Sequence, residues 1–298
     1  MPFRLEFATT GLVPDETYLA NHRHNENSGV PLIRPVPEPN GTPLAVVGGG
    51  PSARHHLDEL RAWPGHVWAV NQSAAWLARE GIADRVWMFT VDPDPVLAEA
   101  EWIDGVTRAI LGTTVDPSLV AALLARGAEV QLFNPQLAPQ GETVMAVGGS
   151  SVCRTFMPAL CMGYPTVDYF GCEGSLAGEF TADGQFRPQT HWGRNESRPR
   201  QMIVRCGDRT HVTTPDLYLT TQTLAKALRA YSGGLRDRSG GLLAGMIAHP
   251  DSWEVVALSP ALAKACLSGD VAQALSEANR YRDGACSRHE HGGDSHAA

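Results

Sequence analysis

The sequence predicts an α/β fold with a doubly wound, mostly parallel sheet. From residue 43 onward, short apolar runs alternate with segments of helical periodicity, which is the pattern of strands joined by crossover helices. The runs are almost continuously apolar, as in strands buried on both faces. Small, polar or acidic residues follow several of them, at the sheet edge where such folds bind ligands.

Strands and helices follow one another along most of the chain. The first strand is predicted at 44–47, and Pro51 suits the first turn of the helix that follows it. The later strands are predicted at 66–70, 85–91, 107–111, 129–133, 166–170 and 254–258, and the later helices at 72–80, 118–125, 150–162, 214–231, within 235–249, and at 260–267 and 271–281.

This alternation predicts one Rossmann-like domain over residues 43–282. Residues 1–42 are rich in Pro, Asn and other polar residues, and we expect an irregular N-terminal arm. Residues 174–212 are rich in Gly, Arg and Pro with little periodicity, which favours an irregular lid insertion over the active site. Helices are expected to end the domain, and residues 283–298 to form a disordered polar tail.

Composition excludes several classes of function. The net charge of −8 and the pI near 5.7 argue against general binding of nucleic acids or membrane surfaces. The two lysines, Lys226 and Lys264, come too late to follow a glycine turn as a Walker lysine does. The six cysteines form no Cys-x-x-Cys pair, and no apolar run has the length of a membrane span. We therefore expect a cytoplasmic protein with reduced thiols and no membrane partner.

A glycine-rich turn, Gly48-Gly49-Gly50-Pro51-Ser52, joins the first strand to its helix. Glycine lets a phosphate approach the backbone closely, and the N–H groups of a helix's first turn point toward it. Ser52 could cap the helix or offer its hydroxyl to a ligand. The turn therefore predicts a nucleotide-phosphate site; the alternative is a tight turn that binds nothing.

Other polar residues follow the later strands. Asn71 stands where an NAD-binding unit carries an acidic residue, so a nicotinamide dehydrogenase is disfavoured, although Asn71 can still bind a ribose or base. The Gly149-Ser150-Ser151 turn suits a second phosphate or a carboxylate, or is simply a serine cap. Glu173 could bind a ribose or an acceptor hydroxyl, or cap the next segment.

Three further residues suggest chemistry. Asp92 and Asp94 could hold Mg²⁺ or Mn²⁺ against a diphosphate, or could form an Asx turn between two prolines. His191, in the predicted lid, could be a catalytic base because the pKa of histidine lies near neutrality, or could be a solvated loop residue.

Together these segments resemble a superfamily of archaeal 6-hydroxymethylpterin diphosphokinase-like proteins, their bacterial and phage relatives and, more distantly, bacterial sialyltransferases that use a cytidine monophosphate donor. The resemblance covers about residues 43–260. It rests on Val47–Ser52, Asn71, the strand that ends at Asp92, Gly149–Val152 with Gly163, Gly171–Glu173, Thr190-His191, and Val212–Thr214 before a helix with Gln222.

The resemblance implies that the glycine turn, Asn71 and the serine turn surround a nucleotide and that His191 is the base. Glu173 departs from the family pattern, which prefers Asp. We expect a transferase with a nucleotide-activated donor, a nucleotide sugar or ATP, that acts on a hydroxyl acceptor. Glycosyl transfer is favoured over diphosphate transfer to a pterin-like hydroxymethyl group. A non-catalytic nucleotide-binding or phage-associated protein and an oxidoreductase are the alternatives.

Overall fold

The computed structural model describes residues 15–135, 150–180, 186–189, 202–250 and 252–257. Within these segments the backbone forms both parallel and antiparallel sheets. Its strands are β1 (Leu44–Val47), β2 (His66–Val70), β3 (Val86–Thr90), β4 (Arg108–Gly112), β5 (Glu129–Phe133), β6 (Val167–Phe170), β7 (Ala177–Phe180), β8 (Phe186–Gln189), β9 (Met202–Cys206), β10 (Arg209–Thr213), β11 (Leu235–Asp237) and β12 (Trp253–Ala257).

Helices connect most of the parallel strands. Short 3₁₀ segments precede or extend several of them, among them Pro51–His56 directly after the glycine turn. The α-helices are α1 (Asp15–Glu26), α2 (Leu57–Arg61), α3 (Ser73–Leu77), α4 (Ala100–Ile103), α5 (Pro117–Ala125), α6 (Ser151–Arg154), α7 (Phe156–Cys161), α8 (Pro215–Ala230) and α9 (Gly241–Ala248).

Seven strands form the main sheet, in the order β11-β6-β1-β2-β3-β4-β5. All of its neighbouring strands are parallel, which confirms the predicted fold class. Because β2 to β5 extend to one side of β1 while β6 and β11 lie on the other, the strand order reverses between β1 and β6. Ligands of doubly wound sheets bind outside the carboxyl ends of the strands at such a reversal.

Alternate side chains of the strands pack into two separate hydrophobic cores, one on each face of the sheet. In β1, Leu44 and Val46 pack into the core under α7, α8 and α9. Ala45 and Val47 pack into the core under α2 to α5. All four side chains are fully buried, so β1 is the doubly covered strand that its apolar sequence predicts.

Helix starts follow local capping chemistry. The Asp116 side chain accepts from the Ser118 N–H at 2.9 Å, with Pro117 as the first residue of α5. Thr214 does the same for α8, where its hydroxyl accepts from the Leu217 N–H at 3.3 Å. The predicted helix start at 214–215 is therefore confirmed.

The segment predicted as an irregular lid contains strands where the structure describes it. β7 and β8 form an antiparallel pair, and β9 lies between β10 and β12 in a three-stranded antiparallel sheet. The expectation of irregular structure is wrong over these strands, because pairing between short mixed-polarity segments leaves little periodicity in the sequence. The strand predicted at 254–258 is β12, which belongs to this small sheet.

The expectation of an irregular N-terminal arm is wrong over α1. Its buried face is polar: the Asn25 side chain donates to the carbonyl oxygens of Thr113 at 3.0 Å and Val115 at 2.8 Å. The Asn21 side chain donates to the Thr114 carbonyl at 3.2 Å. A helix that docks through amides rather than apolar side chains gives no hydrophobic periodicity, so the sequence pattern did not indicate it.

The chain after α1 runs along the outer strand of the main sheet. Leu132 of β5 accepts from the Ile33 N–H at 2.7 Å and donates its own N–H to the Pro31 carbonyl at 2.8 Å. Residues 31–33 thus add a short parallel bridge to β5.

In the segments that the structure describes, no helix is long and apolar enough to cross a membrane. The predicted helices at 260–267 and 271–281 and the predicted tail at 283–298 lie outside the described residues.

We predict that Asn25→Ala lowers the free energy of unfolding by about 2–4 kcal/mol, because it leaves two carbonyl oxygens without their donor beneath a fully buried side chain. Urea unfolding measures the change. The control is Asn27→Ala, which removes an exposed amide just after α1 that bonds back to the Arg23 carbonyl of the same helix. Equal losses from the two substitutions would show that α1 is not held through Asn25.

Candidate functional site

The glycine turn lies against the carboxyl end of β6, at the reversal of strand order. The Gly48 N–H donates to the Phe170 carbonyl at 2.8 Å, and the Gly50 N–H donates to the Gly171 carbonyl at 2.7 Å. The Ser52 N–H donates to Glu173 Oε1 at 2.6 Å. Three of the amides expected to hold a phosphate therefore already have acceptors from the protein itself.

The absence of side chains at Gly48 and Gly50 permits this contact. A Cβ at Gly48 would lie 2.5 Å from the Gly171 carbonyl oxygen, and one at Gly50 would lie 1.5 Å from Glu173 Oε2. The glycines are thus explained by the packing of β6 and Glu173 against the turn, whether or not a ligand also approaches.

Glu173 is almost fully buried, with 7% of its surface exposed. Burial raises the pKa of its carboxyl group, which the contact with Ser52 partly opposes and nearby Asp237 reinforces. The carboxyl group accepts the N–H of Ser52, the first N–H of the 3₁₀ segment because Pro51 has none. The sequence predicted that Glu173 binds a ligand or caps the segment that follows it; the structure instead shows Glu173 bonded to Ser52 of the glycine turn, far upstream in the chain.

Asn71 follows β2 in a left-handed backbone conformation. Its φ of 51° is the only positive φ of a non-glycine residue in the described segments. Its N–H donates to the Phe89 carbonyl at 3.0 Å, while its side-chain oxygen is buried without a partner among the described residues. Next to it, the Ser73 hydroxyl donates to the Gly48 carbonyl at 3.0 Å, which holds the Asn71 turn beside the glycine turn.

The serine turn reaches the end of β3. Ser151 Oγ accepts from the Val91 N–H at 3.3 Å, and Ser150 Oγ caps α6 by accepting from the Cys153 N–H at 3.4 Å. Ser150 is therefore a helix cap, as one of the two interpretations of the sequence held, and it lies at the same sheet edge as Asn71. Gly149, the first residue of the predicted turn, lies outside the described residues.

Asp92 and Asp94 form the Asx-type turn that the sequence offered as an alternative to a metal site. Asp92 accepts from the Asp94 N–H at 3.1 Å, and Asp94 accepts from the Val96 N–H at 3.0 Å. Burial, reinforced by the Asp94 charge, raises the pKa of Asp92. The described segments contain no group of three His, Cys, Asp or Glu side chains placed to hold a metal.

Two further groups at this edge were not singled out from the sequence. The Ser239 hydroxyl, after β11, accepts from the Cys172 N–H at 2.8 Å, and Asp237 accepts from the Ser239 N–H at 2.8 Å. Burial raises the pKa of Asp237. A three-residue strand with two charged residues gives little sequence signal, so β11 and the groups that it places here were missed.

The predicted base, His191, lies outside the described residues. A surface cavity of about 370 Å³ opens at the other end of the main sheet, where Val167 and Leu235 begin β6 and β11. Tyr164 and Tyr231 contribute to its lining. The cavity therefore does not include the polar strand ends.

We predict that Glu173→Gln changes how stability depends on pH. The variant keeps an oxygen that can accept from the Ser52 N–H but has no ionisable proton. Since the folded pKa of Glu173 is raised above the ordinary value of 4.5, its contribution to stability is complete below that value and is lost as pH rises through the folded pKa.

The free energy of unfolding of the unsubstituted protein should therefore fall relative to that of Glu173→Gln as pH rises above about 4.5. Urea unfolding over a pH series measures the difference. Glu99→Gln, which removes an exposed carboxylate, controls for loss of charge as such. A difference that grows with pH in favour of the unsubstituted protein would contradict the prediction.

No protein-family model and no curated protein sequence matches the chain. Among solved structures, it is similar to the MAf glycosyltransferase from Magnetospirillum magneticum AMB-1, with a TM-score of 0.54 and 16% sequence identity. The match covers 88% of this chain and 42% of the glycosyltransferase, so this chain spans less than half of that protein's length. At this identity the similarity establishes a shared α/β fold.

Proposed function

We propose that the chain transfers a glycosyl group from a nucleotide sugar to a hydroxyl acceptor. The observation that carries the proposal is Asn71. The Asn71 side-chain oxygen is buried without a partner among the described residues, on a backbone with positive φ. A buried polar atom without a partner is costly, and such positions concentrate at binding sites. Asn71 stands beside the glycine turn at the carboxyl edge, where doubly wound folds bind nucleotides.

Two further observations support the proposal. Hydrogen bonds hold the ends of three strands close together. Glu173 bonds to the turn after β1, Ser73 after β2 bonds to that same turn, and Ser151 bonds to the residue after β3. The structural neighbour bears the name of a glycosyltransferase, which favours glycosyl transfer over the diphosphate transfer that the sequence resemblance also implied.

In the mechanism that we propose, Asn71 binds the ribose or base of the donor. Glu173, as an acceptor of hydrogen bonds, suits a hydroxyl of the ribose or of the sugar, and Ser150 and Ser151 stand at the side of the donor phosphate. His191 takes the proton from the acceptor hydroxyl while the hydroxyl oxygen attacks the sugar's anomeric carbon. The nucleotide then leaves with the electron pair of the broken glycosidic bond.

We propose Asp92 and Asp94 as ligands of Mg²⁺ or Mn²⁺. The need for such a cation differs between the two transfer reactions. ATP-dependent diphosphate transfer needs a divalent cation to neutralise the phosphates, whereas glycosyl transfer from a nucleotide sugar can proceed without one. Turnover that persists without an added cation therefore favours glycosyl transfer over diphosphate transfer.

We predict that the protein binds at least one member of a panel of nucleotide sugars. Asn71→Gly should weaken this binding about tenfold or more, because it removes at least one buried hydrogen bond between the protein and the ligand. Glycine adopts a φ of 51° without strain, so the fold should remain intact. Isothermal titration measures the affinity. Asn27→Gly, at an exposed position just after α1, is the matched control. No affinity for any nucleotide sugar or nucleotide would refute the proposal.

We also predict that His191→Ala lowers turnover about 10²–10⁴-fold while donor affinity stays unchanged, because a general base acts on the acceptor and not on donor binding. His55→Ala, which removes an exposed histidine, is the control. Full activity of His191→Ala would remove the base role but not the donor site. Nucleotide-sugar binding without any product from hydroxyl acceptors would favour a non-catalytic binding protein.

A further inference from the structure

Arg154 is a buried cation without a described anionic partner. It is the last residue of α6, and only 7% of its surface is exposed. One guanidinium nitrogen, Nη1, donates to the Pro135 carbonyl. The Nε atom is buried and has no partner among the described residues.

Arginine seldom lies this deep without a carboxylate. Burial lowers its pKa, yet the neighbouring Cys153 and Tyr18 oppose that shift, and a guanidinium remains charged at neutral pH. In the described segments no Asp or Glu forms an ion pair with it. A buried charge that is neither paired nor fully hydrogen-bonded is strongly unfavourable, so a missing partner is the simplest explanation for its retention.

The position of Arg154 points to what that partner is. Pro135 follows β5, and Ser151, three residues before Arg154, is bonded to the N–H of Val91 after β3. Gly112 at the end of β4 lies between them, since a Cβ built there would meet Val91 at 3.0 Å and Pro135 at 3.1 Å. Arg154 is thus held at the carboxyl edge of the main sheet, on the side of β1 opposite to Glu173.

The glycine turn cannot readily supply the charge that a nucleotide donor requires. Its Gly48, Gly50 and Ser52 amides are bonded to β6 and Glu173, and Glu173 brings a negative charge of its own when ionised. A guanidinium binds phosphate oxygens in paired, charge-assisted hydrogen bonds. We propose that Arg154 binds the phosphate groups of the donor, an inference that rests on the proposed function for the identity of the ligand.

The experiment uses inorganic pyrophosphate as the probe of the site and compares the unsubstituted protein with Arg154→Met and Arg154→Lys. Methionine keeps an unbranched apolar stem of similar volume and removes the charge, while lysine keeps the charge without the planar fork. Arg126→Met removes an exposed arginine at the end of α5 and is the control for net charge. Titration calorimetry measures pyrophosphate affinity.

We expect Arg154→Met to weaken pyrophosphate binding at least about tenfold, Arg154→Lys to weaken it less, and Arg126→Met to leave it unchanged. Because a variant at a buried position can fail to fold, the unsubstituted protein gives a second measurement. The side-chain Nε–H resonance of Arg154, assigned by its absence in Arg154→Lys, should shift during a pyrophosphate titration with the same half-saturation as the calorimetric signal.

The inference is overturned if the unsubstituted protein does not bind pyrophosphate. It is also overturned if binding leaves the Arg154 resonance unmoved and Arg154→Met binds pyrophosphate as tightly as the unsubstituted protein. If nucleotide sugars bind equally well to Arg154→Met, the inference fails while the proposed function stands. If pyrophosphate binds through Arg154 but no nucleotide or nucleotide sugar binds at all, the anion site stands while the proposed function fails.

Discussion

The close approach of β1 and β6 beyond their last residues is the constraint on which the candidate site depends. Two parallel strands normally diverge into separate loops, but here the main chain of the glycine turn bonds directly to Phe170 and Gly171. Only residues without a Cβ permit the contact at Gly48 and Gly50. The contact brings the carboxylate of Glu173 onto the amide of Ser52, at the place where the strand order reverses.

The charges at the carboxyl edge are distributed unevenly. Glu173, after β6, and Asp237, in β11, have carboxyl groups whose pKa is raised by burial, so this part of the edge holds acids in an environment that disfavours their ionised form. Arg154 stands apart from these two acids, near the ends of β3 and β5. Under the proposals made above, one end of a ligand meets hydrogen-bond acceptors and the other meets a cation, as a molecule with hydroxyl groups and phosphate groups requires.

The sequence was informative where apolar runs and capping residues act locally. It predicted β1 to β6, the start of α8, and the position of Asn71 and the serine turn at the sheet edge. It could not predict α1, whose buried face is made of amides, or β11, which is short and charged. The bond between Ser52 and Glu173 joins residues far apart in the chain, and nothing local indicates it. Arg154 was missed because a charged residue in a sequence normally indicates a solvated surface.

The two outer strands of the main sheet bear on self-association. An outer strand with free N–H and C=O groups is a template for pairing with another chain. At one edge of the sheet, residues 31–33 form hydrogen bonds with the N–H and C=O groups of Leu132 in β5. At the other, β11 is three residues long, and its Arg236 is bound to the buried carboxylate of Asp168 at 2.5 Å. The segment after α1 therefore shields the longer outer strand, and its detachment would leave N–H and C=O groups of β5 open to pairing with another chain.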